Sequence, residues 1–490
     1  VKRAGLGLTL LVSALYGVLN AIVRLLSGTR LDMDDAKTNL FTQVWQWGYQ
    51  ADNPPLFEWL IKLLHPLAGG GIYSFLVLKY AALAAAAGFL YLAARRFASR
   101  EVSFGAAMGM VLLYQVGWNY HQAFTHSALL LTAVCGGMWS GLVLARRGRA
   151  SDFAVFGAAL GVGLMTKYNY ILFAVPFLVA GLTLPEARGR LLKPAVLLVP
   201  LAAMPFLLPH ALWLLERGTA YSATLEGSLG LAGTRLERLG EGAEQLVIAC
   251  VSFFLPWALI AVPFWRRGHA EATFESRILV RTSLIAIGLI GLGVAFGVGS
   301  VSERYVIPAL LPAYLAWTVR LLKAPRRLSP YLTASAGFTV LVLAIRLAEF
   351  AFPGPPFCED CRRFTPYEAL EAKLAEATPS GSVYLSREEN TAGNLVAAFP
   401  DAKVRSLNLL PFINPTDELS RPCYYVWSED TVGGVPLEDV FAFAYDDPHT
   451  IYVDAPWRHP LKPDGWRRTR WGVTPLTGRL YTQFCTPGRP

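Results

Sequence analysis

Asp32, Asp34 and Asp35 follow the first long apolar segment of the chain, within Leu31-Asp32-Met33-Asp34-Asp35-Ala36. A second polar knot, Gly48-Tyr49-Gln50-Ala51-Asp52-Asn53-Pro54-Pro55-Leu56, comes shortly after. Carboxylates beside a bilayer are costly unless they meet a cation, a substrate or water. The plain role for Asp34 and Asp35 is helix capping, since acids in a first turn satisfy free N–H groups and the helix dipole. The chemical role needs a site facing both an aqueous acceptor and a membrane-held partner. This loop is so placed, which points to chemistry on a lipid-linked substrate.

The candidate counter-charges are Lys167, in Gly163-Leu164-Met165-Thr166-Lys167-Tyr168-Asn169-Tyr170, and Arg304, in Ser302-Glu303-Arg304-Tyr305-Val306-Ile307-Pro308. A lysine at a helix end can simply snorkel to water. Two half-length apolar runs meet at Lys167, however, and such breaks normally line a cavity. A lysine there suits a phosphate as a point charge. Arg304 reads either as a phosphate clamp or as the partner of Glu303. Tyr168, Tyr305, Asp52, Asn53, His126 and His210 complete the candidate substrate contacts. Each histidine alone reads equally as a packed interfacial residue. His121 and His126 are five apart, which does not stack them on one helix face, so no preformed zinc pair is expected. The chain has no Gly-rich phosphate loop, no Gly-x-Ser-x-Gly and no His-Glu-x-x-His.

Long apolar elements must hold these residues. Hydrophobic residues are 54% of the 490 and charged residues only 16%, against roughly 25% charged in globular domains. The apolar residues fall in runs long enough to cross a bilayer. The runs are 5–26, 72–93, 102–117, 125–145, 152–165, 169–184, 194–215, 245–265, 278–298, 305–322 and 331–350, or about eleven helices. The net charge of +9 lies in short clusters between runs, which excludes a nucleic-acid role. Arg95-Arg96, Arg146-Arg147-Gly148-Arg149, Arg188 with Arg190 and Lys193, Arg266-Arg267, and Lys323 with Arg326-Arg327 all fall on one side, with Lys2 and Arg3. The positive-inside rule then places the N-terminus in the cytoplasm and the C-terminus outside. Residues 1–3 and the first run read as an uncleaved spanning anchor.

Within the outer loop 27–71, residues 34–47 and 55–67 read as short amphipathic helices separated by Pro54-Pro55. Trp45, Trp47, Tyr49, Phe57 and Trp59 are expected at headgroup depth. Residues 1–350 therefore form a membrane domain. Residues 351–490 read as a soluble α/β domain, with strands expected near 382–385, 423–427 and 450–453. Cys358, Cys361, Cys423 and Cys485 lie there and can form two disulfides in an oxidising exterior, with three connectivities open. The Cys358-x-x-Cys361 pair has a redox or zinc alternative. Cys135 and Cys250 read as core filler.

These motifs together resemble a known family. Asp34-Asp35-Ala36 resembles the Asp-Glu-Ala motif of GT-C fold glycosyltransferases of the protein mannosyltransferase-like group. That group includes lipid A aminoarabinose transferases and rhizobial galacturonosyltransferases. Asp52-Asn53-Pro54-Pro55-Leu56-x-x-Trp59-Leu60 resembles its second loop motif. Gly163 to Tyr168 and Arg304-Tyr305-x-x-Pro308 resemble its later elements. The resemblance covers roughly residues 1–320, with the motifs in order. It implies that Asp34 is the catalytic carboxylate acting as base on the acceptor, with Asp35 beside it. It implies that Lys167 and Arg304 hold the donor phosphate. Three departures stand out: Asp35 replaces the usual Glu, His126-Ser127 lacks the acid that often follows His, and Asn53 replaces a Lys of the aminoarabinose enzymes.

The expected fold is an α-helical polytopic GT-C membrane protein with a soluble α/β domain. The expected function is an inverting glycosyltransferase of the bacterial inner membrane. It takes a sugar from a polyprenyl-phosphate donor to a lipid or glycan acceptor (lipid A, lipopolysaccharide, another glycan or a protein) on the periplasmic side. Membrane lipids are partners and nucleic acid is not. The sequence shows no required cofactor and leaves a divalent metal open. The alternatives are a transporter or flippase and a non-catalytic scaffold of an envelope glycan system. A broken span and buried charges fit a transporter, but the acidic amphipathic loop and the large tail do not.

Overall fold

The computed structural model describes residues 4–122, 126–216, 226–227, 229–265, 272–323, 327–353, 361–409, 421–429, 447–459, 461 and 465–485. Helices come first along the chain: α1 (Leu6–Leu26), α2 (Met33–Phe41), α3 (Leu56–Ala68), α4 (Ile72–Ala94), α5 (Arg100–Met108), α6 (His126–Arg147) and α7 (Ala150–Thr166). They continue as α8 (Ile171–Leu182), α9 (Pro185–Leu191), α10 (Leu198–Glu216), α11 (Arg235–Trp265), α12 (Phe274–Ala295), α13 (Ile307–Leu322) and α14 (Leu328–Ala351). Among the described residues, seven helices are long and apolar enough to cross a membrane, and the pair running from Tyr168 to Leu191, bent by 110°, makes up to eight. Helices α7 and α13 are apolar but shorter. Leu11, Leu15 and Leu19 of α1 and Leu201, Leu212 and Leu215 of α10 are all more than half exposed. Such leucine stripes are costly in water and stable in lipid. The chain is a multi-pass membrane protein.

The expected span 102–117 is not one continuous helix. Helix α5 stops at Met108, a 3-10 turn covers Gly109–Leu112, and a π-turn covers Gln115–Asn119. Composition alone does not register where the helix stops, because residues 109–114 stay apolar.

The chain divides into two compact units. The first holds Val1–Asn20, Gln50–Phe57 and Lys79–Leu343. Here α7 packs on α10 through small residues, as membrane helices do where backbones approach closely. A methyl group at Gly157 would stand 2.4 Å from the Val199 carbonyl oxygen, and one at Gly161 would stand 2.9 Å from that of Ala203.

The second unit holds Ala21–Tyr49, Glu58–Leu78 and Ala344–Pro490. It contains α15 (Tyr367–Ala377), β1 (Val383–Ser386), α16 (Glu389–Ala398), β2 (Lys403–Ser406), β3 (Cys423–Ser428), β4 (Ile451–Pro456), β5 (Arg468–Pro475) and α17 (Gly478–Phe484). The sheet order is β2-β1-β3-β5-β4. Strands β2, β1 and β3 are parallel, with Val383 opposite both Lys403 and Cys423. Strand β5 runs antiparallel to β3 and β4, with Trp471 opposite Ser428 and Val453. Alternation gives the sheet two buried faces. Tyr384, Val404, Val426 and Trp471 pack on one side with Leu370, Leu374 and Leu395. Leu385, Tyr425 and Trp427 pack on the other with Leu476 and the Cys423–Cys485 disulfide. Cys361 is also disulfide-bonded, while Cys358 lies outside the described residues. Cys135 and Cys250 are free, Cys135 fully buried and Cys250 half-buried.

The outer-loop expectation needs a correction. Helix α2 ends at Phe41 rather than at residue 47. Its apolar residues Leu40 and Phe41, with Tyr49, join the core of the sheet domain. Tyr49 and Phe57 are buried in protein and Trp59 is partly buried, so these three do not face headgroups; Trp45 and Trp47 are exposed. An interfacial aromatic and a core aromatic have the same residue type, and only the presence of a partner surface separates them.

Candidate active site

Lys167 stands where α7 stops. Its backbone is extended (φ −167°, ψ 137°), and a 3-10 turn over Tyr168–Tyr170 leads into α8. Gly163 makes the turn fit, since a methyl there would stand 2.5 Å from the Tyr170 ring. The break turns Lys167 to other elements of the same unit. Its Nζ donates to Ser127 Oγ at 3.3 Å and lies 5.9 Å from the centre of the Tyr305 ring. Ser127 is fixed in turn, because its carbonyl accepts the Tyr120 hydroxyl at 2.9 Å.

Arg304 and Tyr305 sit in the turn before α13. The Tyr305 N–H donates to the Ser302 carbonyl at 2.8 Å, and Pro308 lies in the helix's first turn. Asn169 ties this turn to the Lys167 turn, its Nδ2 donating to the Arg304 carbonyl at 3.2 Å. Glu303 accepts from Gln115 Nε2 at 3.1 Å, and Gln115 accepts from Asn119 at 2.9 Å. That chain runs through the π-turn, a form that recurs at functional sites.

Asp52 belongs to the same set. The Asp52 carboxylate and the Arg304 guanidinium both act electrostatically on the Tyr305 phenol. A tyrosine phenol is neutral at neutral pH and can donate a hydrogen bond. Asn53 is half-buried next to Asp52. His126 opens α6 and packs against Phe57 with ring centres 4.9 Å apart. Tyr168 shares a 2.6 Å hydrogen bond with His210 Nε2, and His210 stacks on Trp213. One unit therefore gathers Asp52, Asn53, His126, Lys167, Tyr168, His210, Arg304 and Tyr305.

Asp34 and Asp35 lie in the other unit, in the first turn of α2. Asp34 is exposed and Asp35 is buried. The helix N-terminus favours both charges. Arg24, whose guanidinium donates to the carbonyls of Gly28 and Arg30, adds electrostatic attraction on Asp35 and Asp32. Side-chain amides clamp this segment to the sheet domain. Asn394 accepts from the Leu31 N–H at 2.9 Å and donates to the Leu31 carbonyl at 3.1 Å. Gln43 makes the same paired contact with Val404, at 2.8 and 2.9 Å. Asn39 donates to the Gly393 carbonyl at 2.9 Å, and a methyl at Gly393 would stand 2.1 Å from the Ala36 carbonyl oxygen.

Comparison with known proteins bears on this arrangement. Residues 52–213 match the family model described as dolichyl-phosphate-mannose-protein mannosyltransferase. The chain is 28% identical over 452 residues to the lipopolysaccharide core galacturonosyltransferase RgtA of Rhizobium johnstonii, covering 87% of each. It is 26% identical over 477 residues to RgtB of the same organism, covering 93% of this chain and 95% of that one. Among solved structures it matches ArnT from Cupriavidus metallidurans bound to undecaprenyl phosphate, with a TM-score of 0.60 at 12% identity. That match covers 94% of this chain and 97% of ArnT. The apo ArnT structure matches with a TM-score of 0.57. This is the GT-C fold. By sequence the chain is similar along most of its length to these two galacturonosyltransferases.

The sequence pattern does not reveal Ser127 as a lysine partner, nor the roles of Asn169, Gln115, Gly393 and Asn394. Asn169 stands two residues from Lys167, and its polarity between two apolar helices is a usable signal. Asn394 and Gly393 offer none, because their partners lie more than 350 residues away. Among the described residues, no group of three or more His, Cys, Asp or Glu converges in a way that could hold a metal ion.

Proposed function

We propose that this chain is an inverting glycosyltransferase of the bacterial inner membrane. It moves a sugar from a polyprenyl-phosphate donor to a lipopolysaccharide or lipid A acceptor on the periplasmic side. Asp34 takes the proton of an acceptor hydroxyl, and that oxygen attacks the anomeric carbon. The bond from that carbon to the phosphate oxygen breaks on the opposite face, so configuration inverts. The departing polyprenyl phosphate gathers charge, which Lys167 and Arg304 stabilise, with Tyr305 as a neutral donor. Asp35 supports Asp34, and Asp52, Asn53, His126, Tyr168 and His210 shape the substrate site. The N-terminus is cytoplasmic, and residues 351–490 form the periplasmic domain.

The observation that supports this reading is the junction of two cation-bearing turns, Lys167 between α7 and α8 and Arg304 before α13, tied through Asn169. Likeness to RgtA and RgtB supports the acceptor class, and the undecaprenyl phosphate in the ArnT structure supports the donor class. The test is transfer by the purified protein from a sugar-loaded undecaprenyl phosphate to lipopolysaccharide, read by mass spectrometry. Galacturonosyl donors come first, because the two relatives are named for that sugar. Asp34→Asn separates the enzyme from a transporter or scaffold. Unchanged transfer in that variant removes the mechanism.

A further inference from the structure

Asn169 lies between two residues whose side chains are committed elsewhere. Tyr168 bonds to His210, and Tyr170 fills the space over Gly163. The Asn169 Nδ2 donates to the Arg304 carbonyl, but its Oδ1 is buried and has no hydrogen-bond partner among the described residues. The amide orientation is chemically determined, since a backbone carbonyl only accepts and must face the NH2 end. Flipping the amide would set two oxygens together. A buried acceptor left unmet is a liability that native proteins seldom keep without a use.

We infer that Asn169 Oδ1 accepts a hydrogen bond from a hydroxyl of the donor's sugar, so that the site distinguishes sugar-loaded from bare polyprenyl phosphate. This rests on the donor-site reading above. The choice of partner follows from chemistry. The hydrocarbon tail has no donor group, and an ionised phosphate diester presents only acceptors to the amide oxygen. A sugar hydroxyl is the part of the donor that can supply the proton. Lys167 and Arg304 meet a phosphate in both lipids, and the spent monoester carries the greater charge, so the two cations do not favour the loaded form. Asn169 adds a contact that only the loaded lipid can make.

The test measures affinity for undecaprenyl phosphate and for its sugar-loaded form, using the full chain in lipid nanodiscs. Asn169→Ala should weaken the loaded lipid by about 3- to 10-fold, as expected for one neutral hydrogen bond. The bare lipid should change less than about twofold, since it never made that bond. Asn169→Asp should weaken both lipids, because it sets a carboxylate beside the phosphate site. If the Ala variant fails to fold, Asn169→Ser replaces it, with thermal unfolding as the control. Equal weakening of both lipids by Asn169→Ala would leave only the tie to Arg304 and overturn the inference, as would no change in either. If the wild type binds neither lipid, the donor-site reading falls and this inference falls with it.

Discussion

At the scale of single residues, Asp34 and Lys167 differ in how they should fail. Asp34 is exposed at a helix start, so Asn there keeps the capping geometry and removes only the base. Transfer by Asp34→Asn should fall roughly 10²- to 10⁴-fold, the usual range for loss of a general base. Thermal stability should hold, and a large loss of stability would return the residue to a capping role. Lys167 is anchored to Ser127, and its proposed role is donor binding. Lys167→Ala should raise the KM for donor more than it lowers kcat. Lys167→Arg should restore it only partly, because a planar fork does not replace a point charge in the same space. A Lys167→Ala enzyme with unchanged donor KM would favour the snorkelling role. The break at Lys167 is legible in the sequence, since two short apolar runs meet at a lysine. Its contact with Ser127 is not, because forty residues separate them.

At the scale of elements, α2 is built by residues distant in sequence. Adjacent acids at positions 34 and 35 are the local pattern of a helix N-terminus, and α2 does begin beside them. What holds it is the sheet domain of its own unit, through Asn394, Gln43 and the approach of Gly393 to Ala36. Gly393→Ala forces two backbones apart and should cost about 1–3 kcal/mol, the range for overpacking. Protease sensitivity of the C-terminal domain reads that loss directly, and a variant as resistant as wild type would mean α2 can shift at no cost. Strands β1, β3 and β4 are readable as apolar runs. Strand β2 is four residues with a single aliphatic among charges, and β5 opens Arg-Thr-Arg and carries Gly472. Both are strands because of their neighbours, which local pattern does not contain. The Gly472 position is required by packing, since a methyl there would stand 2.2 Å from the Trp427 ring.

At the scale of the whole molecule, the proposed topology and the disulfide can be tested together. Cys423 and Cys485 are 62 residues apart and bonded. A bond of that kind persists outside the reducing cytoplasm, which agrees with the exterior placement proposed from the basic loops. Those loops carry their own ion pairs, Arg147 with Asp152 and Arg146 with Glu275, both at 2.6 Å. Single cysteines at exposed Ser380 and Ser151, in a Cys250→Ala background, report the two sides. A membrane-impermeant thiol reagent on intact cells with a permeabilised outer membrane should label Ser380→Cys and spare Ser151→Cys. The reverse pattern would invert the topology and remove the periplasmic assignment. Replacing both Cys423 and Cys485 by serine should lower stability by about 2–4 kcal/mol, the usual worth of a disulfide closing a loop of this length. Because the bonded strand β3 lies in the same sheet whose core receives Leu40 and Phe41 of α2, that loss should reach the Asp34 segment. Transfer activity should then fall on heating before the membrane helices unfold. Activity that is lost only at the global unfolding temperature would mean that α2 keeps its place without the sheet's full stability.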